Sequence, residues 1–282
     1  MRRARPLLGT IVSIEVSDTS AAAALAVETA FQHIATVHCA MSFHEPASDL
    51  RALARACAGE VVDVSAHTRA VLSLALQMEQ DTGGAFNACC AAALVHRGLL
   101  PSPADAQPSA ATSLQSGIAL LADGRVRVLA TPWIDLGGIA KGYAVDIAVQ
   151  GLEAARLSGV VNAGGDLRVF GLRSLIVQVR DPVIPARTLP IAEINNLACA
   201  TSAWLLAADA ASAEHLIGLP AESGDNALAS VTVFAPSCAI ADALTKAVWV
   251  LHGAQPQALR QALQAHQAEA FVCHRDGTSS RI

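Results

Sequence analysis

No stretch of this 282-residue chain supplies the roughly 20 uninterrupted apolar residues that a membrane-spanning helix requires. Its most hydrophobic windows, at 21–30 and 67–77, are interrupted by Glu28, His67 or Arg69. The chain also has no excess of basic charge: 19 Lys and Arg stand against 24 Asp and Glu, a net charge of -5, and the scattered arginines form no stripe that would recommend nucleic acid as a partner. Cys-x-x-Cys spacing is missing too. The seven cysteines are odd in number, and the adjacent Cys89 and Cys90 suit neither a disulfide nor a complete metal site. Thiols buried as small hydrophobes in a reducing compartment are therefore expected. The first ten residues, MRRARPLLGT, are basic, but the following IVSIEVS alternates like a strand, and no long apolar core with a small-residue cleavage site follows. No signal peptide is read, and a cytoplasmic location is expected.

What remains is ample material for a buried core, because 53% of residues are hydrophobic and only 15% are charged. Residues 10–17 read as a strand, and 20–40 as a helix capped by Ser20, with Leu25, Val27, Phe31, Ile34 and Val37 at helical spacing. A second helix is expected over 66–81, ending at Gly83-Gly84, and the three prolines of 101–114 mark a surface loop. SGIALLADGRVRVLA reads as two strands about Asp123-Gly124, strands return at 158–171 and 174–180, and 241–252 and 255–267 read as helices. No linker divides the chain, so one α+β domain over 1–282, built of mixed sheets with packed helices, is expected.

The stretch WIDLGGIAKGYAVD, 133–146, carries the most chemical information. A strand turning through glycines into a helix presents unpaired backbone N–H groups at the helix start, where phosphate or another anion binds. Gly137, Gly138 and Gly142 would let a ligand approach the backbone, Lys141 would add a point charge, and Asp135 would accept hydrogen bonds from a sugar or base or help hold a cation. The same residues also describe a tight connection packed through its glycines, with Lys141 solvated. The spacing is neither a Walker loop nor a GxGxxG fingerprint. VVNAGGDLRVFG, 160–171, is equally an ordinary hairpin or a ligand wall with Asn162 and Asp166 at its turn, and Thr201 and Ser202 of ATSAW read as buried, backbone-bonded hydroxyls. SVTVFAPSCAIADALTKAVWVL, 230–251, reads as strand, turn and helix. Asp242 in its first turn complements the helix dipole. Alternatively, Asp242 and Thr245 on one helical face offer Mg²⁺ a carboxylate and a hydroxyl.

Together and in this order these segments resemble the ApbE family, the FAD:protein FMN transferases. The pattern runs through LLGT at 7–10, MSFHEPASDL at 41–50, TGGAF at 82–86, DLGGIAKGYAVD at 135–146 and NAGGDL at 162–167. ATS at 200–202, His-Leu-Ile at 215–217, and SVTV followed by ADAL within 230–244 complete it. The resemblance implies an ApbE-like, T-fold-like core and an enzyme that binds FAD with Mg²⁺, transfers FMN to a threonine or serine of an acceptor redox protein, and releases AMP. Leu8, His44, Ala85, Phe86, Asn87, Asp135 and Lys141 match family positions that contact FAD. Gly138 through its carbonyl, with Asp242, Thr245 and Lys246, match the metal-binding positions, and His215 matches the acid/base histidine. A histidine suits that role near neutral pH, since the attacking hydroxyl must lose its proton.

The chain departs from the family at several of these places. Lys246 stands where a threonine is usual, four residues after the metal aspartate, so that either Lys246 swings away and Thr245 serves, or its ammonium replaces part of the metal's charge. Asn87 stands where Asp is typical, ACC follows in place of Pro-Thr-Val, and HLIGLPAESG lacks the usual Asp-Pro. An aromatic common in the MS segment is displaced, with Phe43 adjacent and His44 in register. Two further readings accompany transfer: a pyrophosphatase that splits FAD into FMN and AMP, and a catalytically weak FAD-binding protein. Many relatives are exported lipoproteins; this chain shows no lipobox cysteine near its start, and an exported form is the alternative to the cytoplasm.

Overall fold

The computed structural model describes residues 1–103, 105–184, 186–203 and 228–282. Its centre is an eight-stranded sheet. In chain order the strands of the protein are Arg2–Leu7 (β1), Thr10–Val16 (β2), Val61–Val62 (β3), Ile118–Leu120 (β4), Val126–Val128 (β5), Gly159–Ala163 (β6), Asp166–Phe170 (β7), Ser174–Arg180 (β8), Thr188–Asn195 (β9), Ala198–Ala203 (β10), Leu228–Ala235 (β11), Glu269–His274 (β12) and Ser279–Arg281 (β13). The large sheet runs β1-β2-β6-β7-β10-β11-β12-β13, β3-β5-β4 form a small second sheet, and β8-β9 a two-stranded ribbon. Every pairing among the described residues is antiparallel. The expected α+β class with helices packed on sheets is what the chain forms.

The burial pattern along the strands explains how the layers stack. In β2, Val12, Ile14 and Val16 are buried while the residues between them are not, as in a strand with one face on the core. In β11 all eight residues are buried, because both faces of the central sheet are covered. Val231, Val233 and Ala235 belong to the main core, while Phe234 faces a smaller cluster with Val160, Val169, Val177 and Ile194, roofed by the β8-β9 ribbon. The main face is covered by three helices, Ala21–Met41, Ala140–Ala154 and Cys238–Leu251.

Local chemistry sets the helix ends. Ser20 caps the first helix by accepting from the Ala23 amide at 3.1 Å, and Val27, Phe31 and Ile34 form its buried stripe. Ser65 caps the expected second helix, Ala66–Asp81, which ends at Thr82 with Gly83 and Gly84 at φ 59° and 84°. The basic start is a strand that sequence patterning missed. β1 is a charged edge strand, where Arg5 forks onto Glu28 and lies 4.7 Å from the Phe31 ring centre. Helix Asp49–Arg55 and strands β9, β12 and β13 are likewise absent from the sequence reading, being short or bounded without strong turn signals.

Asp146 joins two of the core helices. It sits near the middle of Ala140–Ala154, yet its carboxylate accepts from the Cys238 and Ala239 amides at 3.0 and 2.9 Å and from Ser237 Oγ at 2.8 Å. Arg168 of β7 completes the set at 2.8 Å. A side chain of one helix thus satisfies the first amides of another, a role shared between the helix's own N-cap, Ser237, and Asp146 of the neighbouring helix. Asp146→Ala removes the acceptor from two amides and a guanidinium, and is expected to lower the unfolding free energy by roughly 3 kcal/mol. Asp146→Asn, which keeps one acceptor oxygen, should lose less; urea denaturation of the full chain measures both.

Candidate functional site

The glycine-rich turn and the end of the large sheet converge on four charges. Lys141, in the first turn of Ala140–Ala154, places Nζ 3.0 Å from Asp166 Oδ2, 3.3 Å from Asp242 Oδ2 and 2.8 Å from the Gly137 carbonyl oxygen. Two of its N–H groups donate to Gly137 and Asp242, while Asp166 is held as an ion pair whose buried Oδ2 makes no hydrogen bond among the described residues. Lys246 Nζ forms an ion pair with Asp242 Oδ1 and donates to the Asp242 main-chain oxygen at 3.1 Å. The carboxylates lie underneath, with Asp242 and Asp166 side chains 0% and 5% exposed, and the lysines lie above, 29% and 24% exposed for Lys141 and Lys246. The cluster thus turns positive charge outward.

The pKa shifts follow from this stacking. Burial pushes the Asp166 carboxyl up, and the neighbouring Asp242 charge adds to the shift, against the opposing pull of Lys141 and Lys246. Asp242 goes the other way: burial opposes its charge, but Lys141 and Lys246 outweigh burial and hold it below the ordinary carboxylate range. Burial likewise works against a charged Lys141, and Asp166 and Asp242 overcome it, raising the lysine above its usual value. Asp242 is the firmly ionised member of the acidic pair.

The helix start differs from the expected anion cradle. Ile139 and Ala140 amides both donate to the Leu136 carbonyl, at 3.0 and 2.8 Å, the Gly137 amide to Asp135 Oδ1 at 3.2 Å, and the Gly142 amide to Asp242 Oδ2 at 3.4 Å. These donors are taken inside the protein, so an anion here is met by ammonium groups and not by these amides. The glycines serve other ends as well. A Cβ on Gly142 would lie 2.2 Å from the Cys238 carbonyl oxygen, so this glycine permits two helices to touch, and the expectation that it opens the backbone to a ligand is corrected. A Cβ on Gly138 would lie 3.1 Å from Lys246 Cε, so the lysine stem crosses the space above it. Lys141 is tied to Gly137, Asp242 and Asp166 and is not a freely solvated side chain. Asp242 stands in the second turn of Cys238–Leu251, not the first, and the capping role expected of it falls to Ser237 and Asp146.

Other predicted residues are drawn to the same end of the sheet. The β6-β7 turn is a hairpin in which Asn162 Oδ1 accepts from Gly165, as the first reading of VVNAGGDLRVFG has it, and Asp166 at its end reaches Lys141. Thr10 lies against Gly164, whose Cβ would come within 2.4 Å of Thr10 Oγ1, and this ties the Leu8-Gly9 turn to the hairpin. Ser202 Oγ bonds Thr245 Oγ1 at 2.9 Å and Thr201 Oγ1 bonds Thr232 Oγ1 at 2.9 Å, so these hydroxyls pair with side chains, not the expected backbone. The Asp135 amide donates to the Ala88 carbonyl at 2.9 Å, which brings the 85–87 segment alongside Asp135.

In that segment Phe86 is buried, and Asn87 folds back, donating to the Thr112 carbonyl and accepting from the Cys89 amide, both at 2.8 Å. Phe43 is buried beneath Arg51, and His44 is exposed; among the described residues no hydrogen bond or ion pair links His44 to the charged cluster. His215 lies outside the described residues. Asp146 and Arg168 are the supporting residues that sequence reasoning missed, although Asp146 closes the DLGGIAKGYAVD motif.

The metal positions can be tested on this geometry. Both Asp242 carboxylate oxygens face ammonium groups, and its main-chain oxygen accepts from Lys246 and from Thr245 Oγ1, the latter at 2.7 Å. Thr245 is fully buried and directs its single O–H inward. Among the described residues no group of three or more His, Cys, Asp or Glu could hold a metal ion. The side chains as arranged do not fit a divalent ion. Gly142→Ala should force the two helices apart, lowering stability by about 1–3 kcal/mol and loosening the Lys141–Asp242 contact; a thermal melt, with ¹⁵N chemical shifts of the two helices, would detect both effects.

A model of the ApbE family matches residues 8–272. The FAD:protein FMN transferase of Treponema pallidum (strain Nichols) is 29% identical to this chain, over 88% of this chain and 78% of its own length. Among solved structures, the ApbE protein of Thermotoga maritima MSB8 superposes with a TM-score of 0.79 at 23% identity, covering 100% of this chain and 96% of its own. The flavin transferase ApbE of Vibrio cholerae gives 0.77 at 19% identity, with coverage of 100% and 96%. The solved structures share the fold, the family match spans almost the whole sequence, and on that match this chain belongs to the ApbE family.

Proposed function

We propose that this chain is an FAD:protein FMN transferase, which binds FAD and joins its FMN half to a threonine or serine of an acceptor redox protein. In the reaction the acceptor oxygen bonds to the FMN phosphorus and the bond from that phosphorus to the bridging oxygen breaks. AMP leaves with the bridging oxygen, and the hydroxyl proton passes to a base. The observation that carries the reading is the outward-facing positive charge of Lys141 and Lys246 beside the glycine turn, on a chain of this family. A diphosphate ester needs such charge to bind and to leave.

Leu8, His44, Ala85, Phe86, Asn87, Asp135 and Lys141 are the proposed FAD contacts, and His215 is the proposed base. Lys141 holds the glycine turn against Asp166 and Asp242, so its part is to set the shape and potential of the site as much as to touch a phosphate. The Mg²⁺ implied by the family is not assigned to Gly138, Asp242, Thr245 and Lys246, because the Asp242 carboxylate already faces two ammonium groups and the Thr245 hydroxyl donates to the Asp242 main-chain oxygen.

The deciding experiment incubates the full chain with FAD, Mg²⁺ and an acceptor domain bearing a candidate threonine, and follows every product by mass spectrometry. The expected result is one FMN added to the acceptor with stoichiometric AMP, reduced at least about 100-fold in His215→Ala, as loss of a general base predicts. Free FMN and AMP without adduct would make the chain a pyrophosphatase, and intact FAD would leave only flavin binding.

A further inference from the structure

We infer that the Lys246 ammonium takes the place of a divalent cation in this protein, so that FAD is bound through a cation tethered to the chain and no Mg²⁺ is needed. The inference rests on the flavin reading above and concerns how the same site meets the pyrophosphate.

The geometry supports it at each step. Lys246 Nζ has three N–H groups, of which, among the described residues, one faces Asp242 Oδ1 and one the Asp242 main-chain oxygen. The side chain is 24% exposed, so the third can point out of the cluster, whereas Lys141 is held between three protein oxygens, by hydrogen bonds to Gly137 and Asp242 and an ion pair with Asp166. Lys246 is thus the member of the pair with a donor left for a phosphate oxygen. Its position is held: the stem crosses Gly138, where a side chain would crowd Cε, and the head is fixed one helical turn from its partner Asp242. A charge already in place costs little ordering when the ligand arrives.

The same placement opposes a metal. A divalent ion on Asp242 would have to displace Lys246 and sit beside both ammonium groups, and like charges a few ångströms apart in a half-buried site repel strongly. Thr245 is already engaged, its O–H donating to the Asp242 carbonyl oxygen and its oxygen accepting from Ser202. Lys246 forms no bond to the phosphate in this scheme; it supplies charge and a hydrogen bond to an oxygen of the diphosphate.

The test measures FAD affinity of the full chain by quenching of flavin fluorescence, in EDTA and in millimolar Mg²⁺, with Mn²⁺ binding to the same proteins followed by electron paramagnetic resonance. Wild type should bind FAD with a Kd that changes less than threefold between the two buffers, and should hold no stoichiometric Mn²⁺. Lys246→Thr should bind FAD at least tenfold more weakly in EDTA, recover in Mg²⁺ and acquire Mn²⁺; Lys246→Met should be weak in both. Tightening of wild-type FAD binding by more than tenfold on adding Mg²⁺, or Mn²⁺ bound by wild type, overturns the inference while leaving the flavin reading intact. This comparison requires no variant to fold. Absence of FAD binding by wild type in either buffer overturns both.

Discussion

The charged end of this protein depends on one close approach, where the backbone of Gly142 meets that of Cys238 with no room for a methyl group between them. Because two helices touch there, Lys141 of one reaches Asp242 of the other, and Asp146 can cap a helix to which it does not belong. Packing and electrostatics are therefore one constraint. A wider interface would take Lys141 from the buried Asp242 and leave only Lys246 of its own helix to pair it, and loss of a partner from a buried carboxylate is far more costly than the pair itself is stabilising.

The sheet supplies the remaining side of the site through antiparallel register. β6 and β7 deliver Asp166 from a tight glycine hairpin, while β10 lies beside β7 and β11 and brings Ser202 to Thr245. The turn between β1 and β2 sits against that hairpin through Thr10. The motif segments are separated by long intervals in the chain, and antiparallel pairing with a few buried hydroxyl contacts gathers them at one edge. Most polar groups there pair with each other, by hydrogen bonds or ion pairs, which gives the cluster a defined shape before any ligand arrives.

Much of the fold was legible in the sequence. Ser20 and the apolar stripe through Val27, Phe31 and Ile34 announced the first helix, and Gly83-Gly84 the end of another, because caps and periodicity are local signals. β1 was not legible, since three arginines on an edge strand carry no alternation of apolar residues. At the site, the motif order identified the family, and Lys141, Asp166, Asp242 and Lys246 of those segments come together in the structure. Their contacts were less readable: the glycine turn suggested open amides, and only the packed structure reveals that Leu136, Asp135 and Asp242 accept from them. Asp146 was invisible for the same reason, as its acceptors' partners lie 92 and 93 residues away.

The turn that carries Leu8 sets backbone preference and side-chain packing in opposition. Leu8 and Gly9 both adopt positive φ, 56° and 70°, between paired strands. Two-residue hairpins with that geometry favour Asn-Gly, because asparagine tolerates the left-handed region and leucine does not. A leucine here holds a conformation unfavourable to it, at a position where a turn alone would select a different residue. Exchange of Leu8 for asparagine would relax the hairpin and at the same time remove an apolar side chain that packs against the main core, so this turn of the large sheet is held by its side chain's packing against its backbone's preference.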